Sequence, residues 1–210
     1  MQTTKQLLKL AKEGDIESKF ELGYRLAFGK KTFKNPPWKN IFKYWKAAAE
    51  SGHLRAIFYV GVCYDKGWGI KKNVPLAFDW YLKAANLGQR DSQYNVGFFY
   101  ANGELVKKNH TKKIYWYTKA AEAGLIDAQR DLGFSYVYGE GVKKDLKKAI
   151  YWYKKAATAN DDKALYNLGL HFKNGNGVKQ SNRWAKYYFT KALKFGNDKA
   201  KEQLKKLESK

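Results

Sequence analysis

Along this chain, blocks of about a dozen residues place apolar side chains three and four apart, the spacing of a helix that buries one face. Gly, Asn and Lys punctuate the blocks, and the whole pattern repeats. A Leu/Val-Gly pair recurs at Leu22-Gly23, Val60-Gly61, Val96-Gly97, Leu132-Gly133 and Leu168-Gly169. Nine residues before each of these glycines stands another: Gly14, Gly52, Gly88 and Gly124, with Asn160 in the fifth unit, and Gly196 continues the series. Aromatic pairs (Tyr44-Trp45, Trp80-Tyr81, Trp116-Tyr117, Trp152-Tyr153, Tyr188-Phe189) and the alanine pairs that follow them keep the same period. Each unit predicts two antiparallel helices. In residues 89–124 the first runs from about Asp91 to Ala101 and ends at Asn102-Gly103, residues that tolerate a left-handed helix end. The second runs from about Thr111 to Ala123, and Gly124 turns the chain into the next unit. Gly97 and Ala120-Ala121 are small enough to let helix backbones approach. A single hairpin leaves apolar surface uncovered, so the units must stack.

The pattern resembles the Sel-one-like repeat (SLR), a relative of the tetratricopeptide repeat. Leu132-Gly133, Tyr136, Gly139-Glu-Gly141-Val142, Ala149, Trp152-Tyr153 and Lys155-Ala-Ala157 carry the resemblance most fully. It implies an all-α fold, an α-α superhelix (solenoid) of five two-helix repeats at about 15–52, 53–88, 89–124, 125–160 and 161–196. Capping helices are expected within 1–14 and 197–210, giving one repeat domain over 1–210. The first unit departs most, since its inter-helix segment Lys30–Trp38 lacks the second glycine and is two residues longer. The fourth has Arg130 where an aromatic is usual. A single cysteine sets the chain apart from the disulfide-rich branch of the family.

Composition then narrows the function classes. A chain that is 44% hydrophobic and 17% aromatic is too apolar for disorder. No run of 18 apolar residues spans a bilayer, and residues 1–14 lack a signal-peptide core. With Cys63 alone, no intrachain disulfide or cysteine zinc cluster can form, and a cytoplasmic location is expected. His53, His110 and His171 sit in different units, and no hydrolase, P-loop or metalloprotease motif accompanies them. The loops Gly67-Trp-Gly69, Gly139-Glu-Gly141 and Gly175-Asn-Gly177 lack the strand and third glycine of a dinucleotide site and read as turns. No enzyme activity, cofactor or metal is expected.

The positions that vary between units carry the functional reading. Counted from each Leu/Val-Gly glycine, −6, −2 and +2 share a helix face. They read Glu17, Glu21, Arg25; Arg55, Tyr59, Cys63; Asp91, Asn95, Phe99; Asp127, Asp131, Ser135; and Lys163, Asn167, His171. By the family resemblance, first helices line a concave, partner-binding surface. This stripe carries net −2 in a protein of +22, unlike a groove built for a phosphate backbone. The expected function is a monomeric, non-catalytic scaffold or adaptor for a protein or peptide, of the kind that neutralises a toxin or serves signalling or secretion. The alternative is binding to nucleic acid or acidic lipid. It would use the cationic edge of Lys71, Lys72, Lys107, Lys108, Lys143, Lys144 and Lys179 together with the C-terminal end, because residues 141–210 hold +12 of the charge.

Overall fold

The computed structural model describes residues 2–29 and 35–208, and all of its regular structure there is α-helical. Two compact units, Met1–Lys107 and Lys108–Lys210, divide the chain between the two helices of the third repeat. The first unit contains α1 (Thr4–Lys12), α2 (Ile16–Phe28), α3 (Trp38–Glu50), α4 (Leu54–Lys66), α5 (Val74–Asn86) and α6 (Arg90–Asn102). The second contains α7 (His110–Glu122), α8 (Ile126–Tyr138), α9 (Leu146–Thr158), α10 (Asp162–Asn174), α11 (Asn182–Lys194) and α12 (Lys199–Glu208). In each unit consecutive helices pack as hairpins, and the fold class is the α-α repeat solenoid. Of the atypical segment Lys30–Trp38, residues 30–34 lie outside the described residues.

The periodic polar residues are helix caps. Asn73, Asn109, Asp145 and Ser181, 36 residues apart, each accept the backbone N–H three residues on and so start α5, α7, α9 and α11. Gly67, Gly103, Gly139 and Gly175 end the first helices in the left-handed conformation. Between hairpins the turn residues also have positive φ. They include Asn160 at +61°, the one such non-glycine among the described residues, which matches its place in the glycine series. In the Gly-x-Gly loops the second glycine has a further reason. A Cβ on Gly141 would lie 2.5 Å from the His110 carbonyl oxygen, so the loop after α8 rests on the start of α7.

Glycine in the Leu/Val-Gly pair makes room for a ring rather than for another backbone. Added methyls at Gly23, Gly61, Gly133 and Gly169 would meet Trp45, Tyr81, Tyr153 and Phe189 at 2.5–2.8 Å. Each of these is the second member of an aromatic pair on the following helix, and each is buried. The alanine pairs are buried with them.

A second contact ties the first repeat to the second and the fourth to the fifth. In both, the residue at −3 from the Leu/Val-Gly glycine meets the N-cap of the following first helix. Phe20 stacks on His53, centroids 4.3 Å apart. His53 Nδ1 accepts the Ala56 N–H, and its Nε2 lies 3.1 Å from Glu17. In the second unit Arg130 takes the aromatic's place, and its partner is the Asp161 carboxylate at 2.9 Å.

Candidate partner-binding faces

Most of the stripe read from the sequence is engaged within the fold. A four-residue step on a helix of 3.6 residues per turn advances about 40°, so −6, −2 and +2 drift from solvent into the core. Arg55, Asp127 and Lys163 are exposed, and Tyr59, Asp91, Asn95, Asp131 and Asn167 are half-buried. Ser135 and Cys63 are buried and drop out of the face, whereas His171, also largely buried, borders a groove between α8 and α10. Ser135 Oγ donates to the Asp131 carbonyl, and His171 Nδ1–H donates to the Asn176 carbonyl at 2.7 Å. Burial pushes the Cys63 thiol up to about 12, which removes it as a nucleophile.

In the first unit the Arg55 guanidinium lies over the Phe20 and Tyr24 rings, and Tyr59 stacks on Trp45. Asn95 hydrogen-bonds Tyr81, and Phe99 packs edge-on against Phe78. Asp91 accepts from Gln89 Nε2. A shallow pocket remains between α4 and the start of α6, bounded by Arg55, Phe58, Tyr59 and Arg90.

The acidity assigned to the stripe is also offset. Arg130, which lies just outside it, pairs with Asp127 at 2.6 Å and Asp131 at 3.2 Å as well as with Asp161. Burial opposes the Arg130 charge, but these carboxylates outweigh it and raise its pKa. Arg90 likewise stands beside Asp91. With these two arginines counted, the first-helix face is neutral rather than acidic.

What the second unit exposes instead is the neighbouring row at +1 and +5. Phe134 is 43% exposed and Tyr138 64%, their centroids 4.4 Å apart on α8. Facing them across a groove are Asn167, Leu170 and Asn174 of α10. Phe134 and Asn167 also line the adjoining hollow, which runs past Lys163 and Tyr166 to the start of α12. The signal for these aromatics was present in the sequence, an exposed pair four apart directly after the glycine, but a row chosen one residue away misses it. Phe98, 48% exposed, is the corresponding residue of α6.

The lysines of the cationic edge are all exposed: Lys71, Lys72 and Lys107 in the first unit, Lys108, Lys143, Lys144 and Lys179 in the second. Among the described residues no group of three or more His, Cys, Asp or Glu is placed to hold a metal, and no helix is long and apolar enough to cross a membrane.

Comparison with known proteins places the fold. The Sel1 repeat model matches residues 16–37, 42–53, 54–89, 90–125, 126–161 and 162–196. A crystal structure of c5321, a protective antigen of uropathogenic Escherichia coli displaying an SLR fold, is 30% identical with TM-score 0.89 over 97% of this chain. This chain spans 43% of that antigen's length. A Sel1 repeat protein from Oxalobacter formigenes is 28% identical with TM-score 0.84, over 99% of this chain and 91% of its own. Immunity protein Pa5087 from Pseudomonas aeruginosa is 25% identical with TM-score 0.57, over 88% and 67% of the two chains. No curated protein matches the chain significantly. Ring-accommodating glycines, left-handed helix ends and a matched period over most of the sequence agree: the chain belongs to the Sel1 repeat family.

Proposed function

We propose that the protein is a non-catalytic scaffold that holds a protein or peptide segment against its first-helix face, with the groove between α8 and α10 as the principal seat. The exposed Phe134–Tyr138 pair opposite Asn167 and Asn174 carries this reading. Exposed rings take an apolar or aromatic side chain, and carboxamides both donate to and accept from a peptide backbone. The neutrality of the face disfavours a phosphate backbone there. The immunity proteins among the structural relatives support a protein partner, and a toxin-neutralising role is the finer form of the proposal.

The test is site-specific photo-crosslinking in native cells, with the photoreactive residue at Phe134 and a control at Leu76 on α5, which is also exposed. A discrete adduct at Phe134 that disappears when Tyr138→Ala and Asn167→Ala are added is the expected outcome. Equal adducts at both positions, or an adduct indifferent to the two substitutions, refutes the groove.

A further inference from the structure

A different face of the second unit has its own chemistry. Its first helices, α8 and α10, carry three acidic and three basic residues apart from His171. The second helices α9 and α11 carry eight basic residues, seven of them lysine, and no acid. On the same surface Tyr115, Tyr151 and Tyr187 recur every 36 residues and are 52%, 51% and 47% exposed, with Trp184 at 49%. Four residues after each tyrosine a lysine ammonium lies over its ring: Lys119 at 4.8 Å, Lys155 at 5.0 Å and Lys191 at 5.8 Å. Two hollows in equivalent register open at its edge. One is bounded by Tyr136, Lys143, Lys144 and Lys148, the other by Phe172, Lys179 and Trp184 with Lys154.

From this we infer that the α9–α11 face docks on an anionic lipid bilayer. Charge complementarity calls for a polyanion, and the side-chain chemistry selects which one. Nucleic-acid recognition favours arginine forks and open ring faces for base stacking. Here seven of the eight cations are point charges, and an ammonium group lies over each of the three tyrosine rings. A fluid sheet of anionic headgroups needs no matched geometry and attracts each lysine near it. Tyr and Trp rings favour the headgroup level of a bilayer, where their polar ends stay wet. Of the eight cations, Lys186 pairs with Glu208 at 3.2 Å, so it contributes least.

The test is flotation of the full-length protein with vesicles of phosphatidylcholine alone or mixed with phosphatidylglycerol, at low and moderate salt. Binding to the mixed vesicles only, weakening with salt, is expected. Lys147→Gln, Lys154→Gln, Arg183→Gln and Lys194→Gln together should reduce it at least about tenfold. Tyr151→Ser with Trp184→Ser should reduce it at unchanged charge. Lys39→Gln with Lys43→Gln on α3 should leave it intact, as should the groove substitutions Tyr138→Ala and Asn167→Ala, so the two faces fail or succeed independently. Thermal unfolding checks that each variant is folded. No flotation with anionic vesicles at low salt, wild-type flotation of the quadruple variant, or tighter binding to a DNA duplex than to vesicles at equal salt each overturns the inference.

Discussion

Replacing Arg130 by Met tests the joint between the fourth and fifth repeats while keeping most of the side-chain volume. Its three ion pairs are unequal. Asp127 is 56% exposed on its side chain, and an exposed pair contributes close to nothing. Asp131 is 32% exposed, an intermediate case. Asp161 is 10% exposed and faces an Arg130 that is 16% exposed, so the substitution strands a desolvated carboxylate. Orphaning a fully buried charge costs about 3–5 kcal/mol. Asp161 keeps the Ala164 N–H as a hydrogen-bond donor, and residual solvent access lowers the figure to about 2 kcal/mol. Urea denaturation followed by circular dichroism should show a midpoint lower by about 1 M. Adding Asp161→Asn removes the stranded charge and keeps an N-cap acceptor, so the double variant should recover about 1 kcal/mol or more. The loss should change little between low and high salt, because buried pairs are weakly screened. A single variant within about 0.5 kcal/mol of wild type, or a double variant no more stable than the single, refutes this account of the joint.

Asn160→Ala, which puts a residue that disfavours the left-handed region at φ +61°, should destabilise by about 1 kcal/mol, while Asn160→Gly should be near neutral by thermal unfolding. Cys63, its thiol pushed up to about 12, should resist a disulfide reagent at pH 8 in the native protein and react promptly in denaturant. The Glu140 carboxyl is held below its ordinary value by the hydrogen bond and charge of Lys113 at 3.0 Å. Its stabilisation is therefore present above the unfolded carboxylate value and lost as pH falls through the folded one. Lys113→Ala, which copies Ala77, Ala149 and Ala185, should flatten stability against pH in that acid range.

The repeats, the helix end at Asn102-Gly103 and the turn at Asn160 were legible because backbone demands select few residue types, and those types recur at a fixed period. What glycine accommodates was not legible. A gap in side-chain volume looks the same in sequence whether a backbone or the Tyr153 ring fills it. The candidate face was legible only in part. Choosing the first helices took in Asn167 and His171, which line the groove, and Lys163, which lines the adjoining hollow. The four-residue spacing hid the drift that buries Ser135 and His171 and exposes Phe134 and Tyr138. Asp127 and Asp131 looked like recognition charges because their counter-ion, Arg130, stood one position outside the row.

The −3 to N-cap joints bear on how such a chain can change over time. If every joint used the same pair, neighbouring repeats could be deleted, duplicated or exchanged between molecules without mismatch. Here Phe20 accepts an imidazole and Arg130 a carboxylate. Moving the fourth repeat ahead of the second would set a guanidinium against His53 and leave Asp161 facing an aromatic. The first and fourth repeats thus carry an address for their successors, and part of the order of the array is written into the joints as well as into the chain.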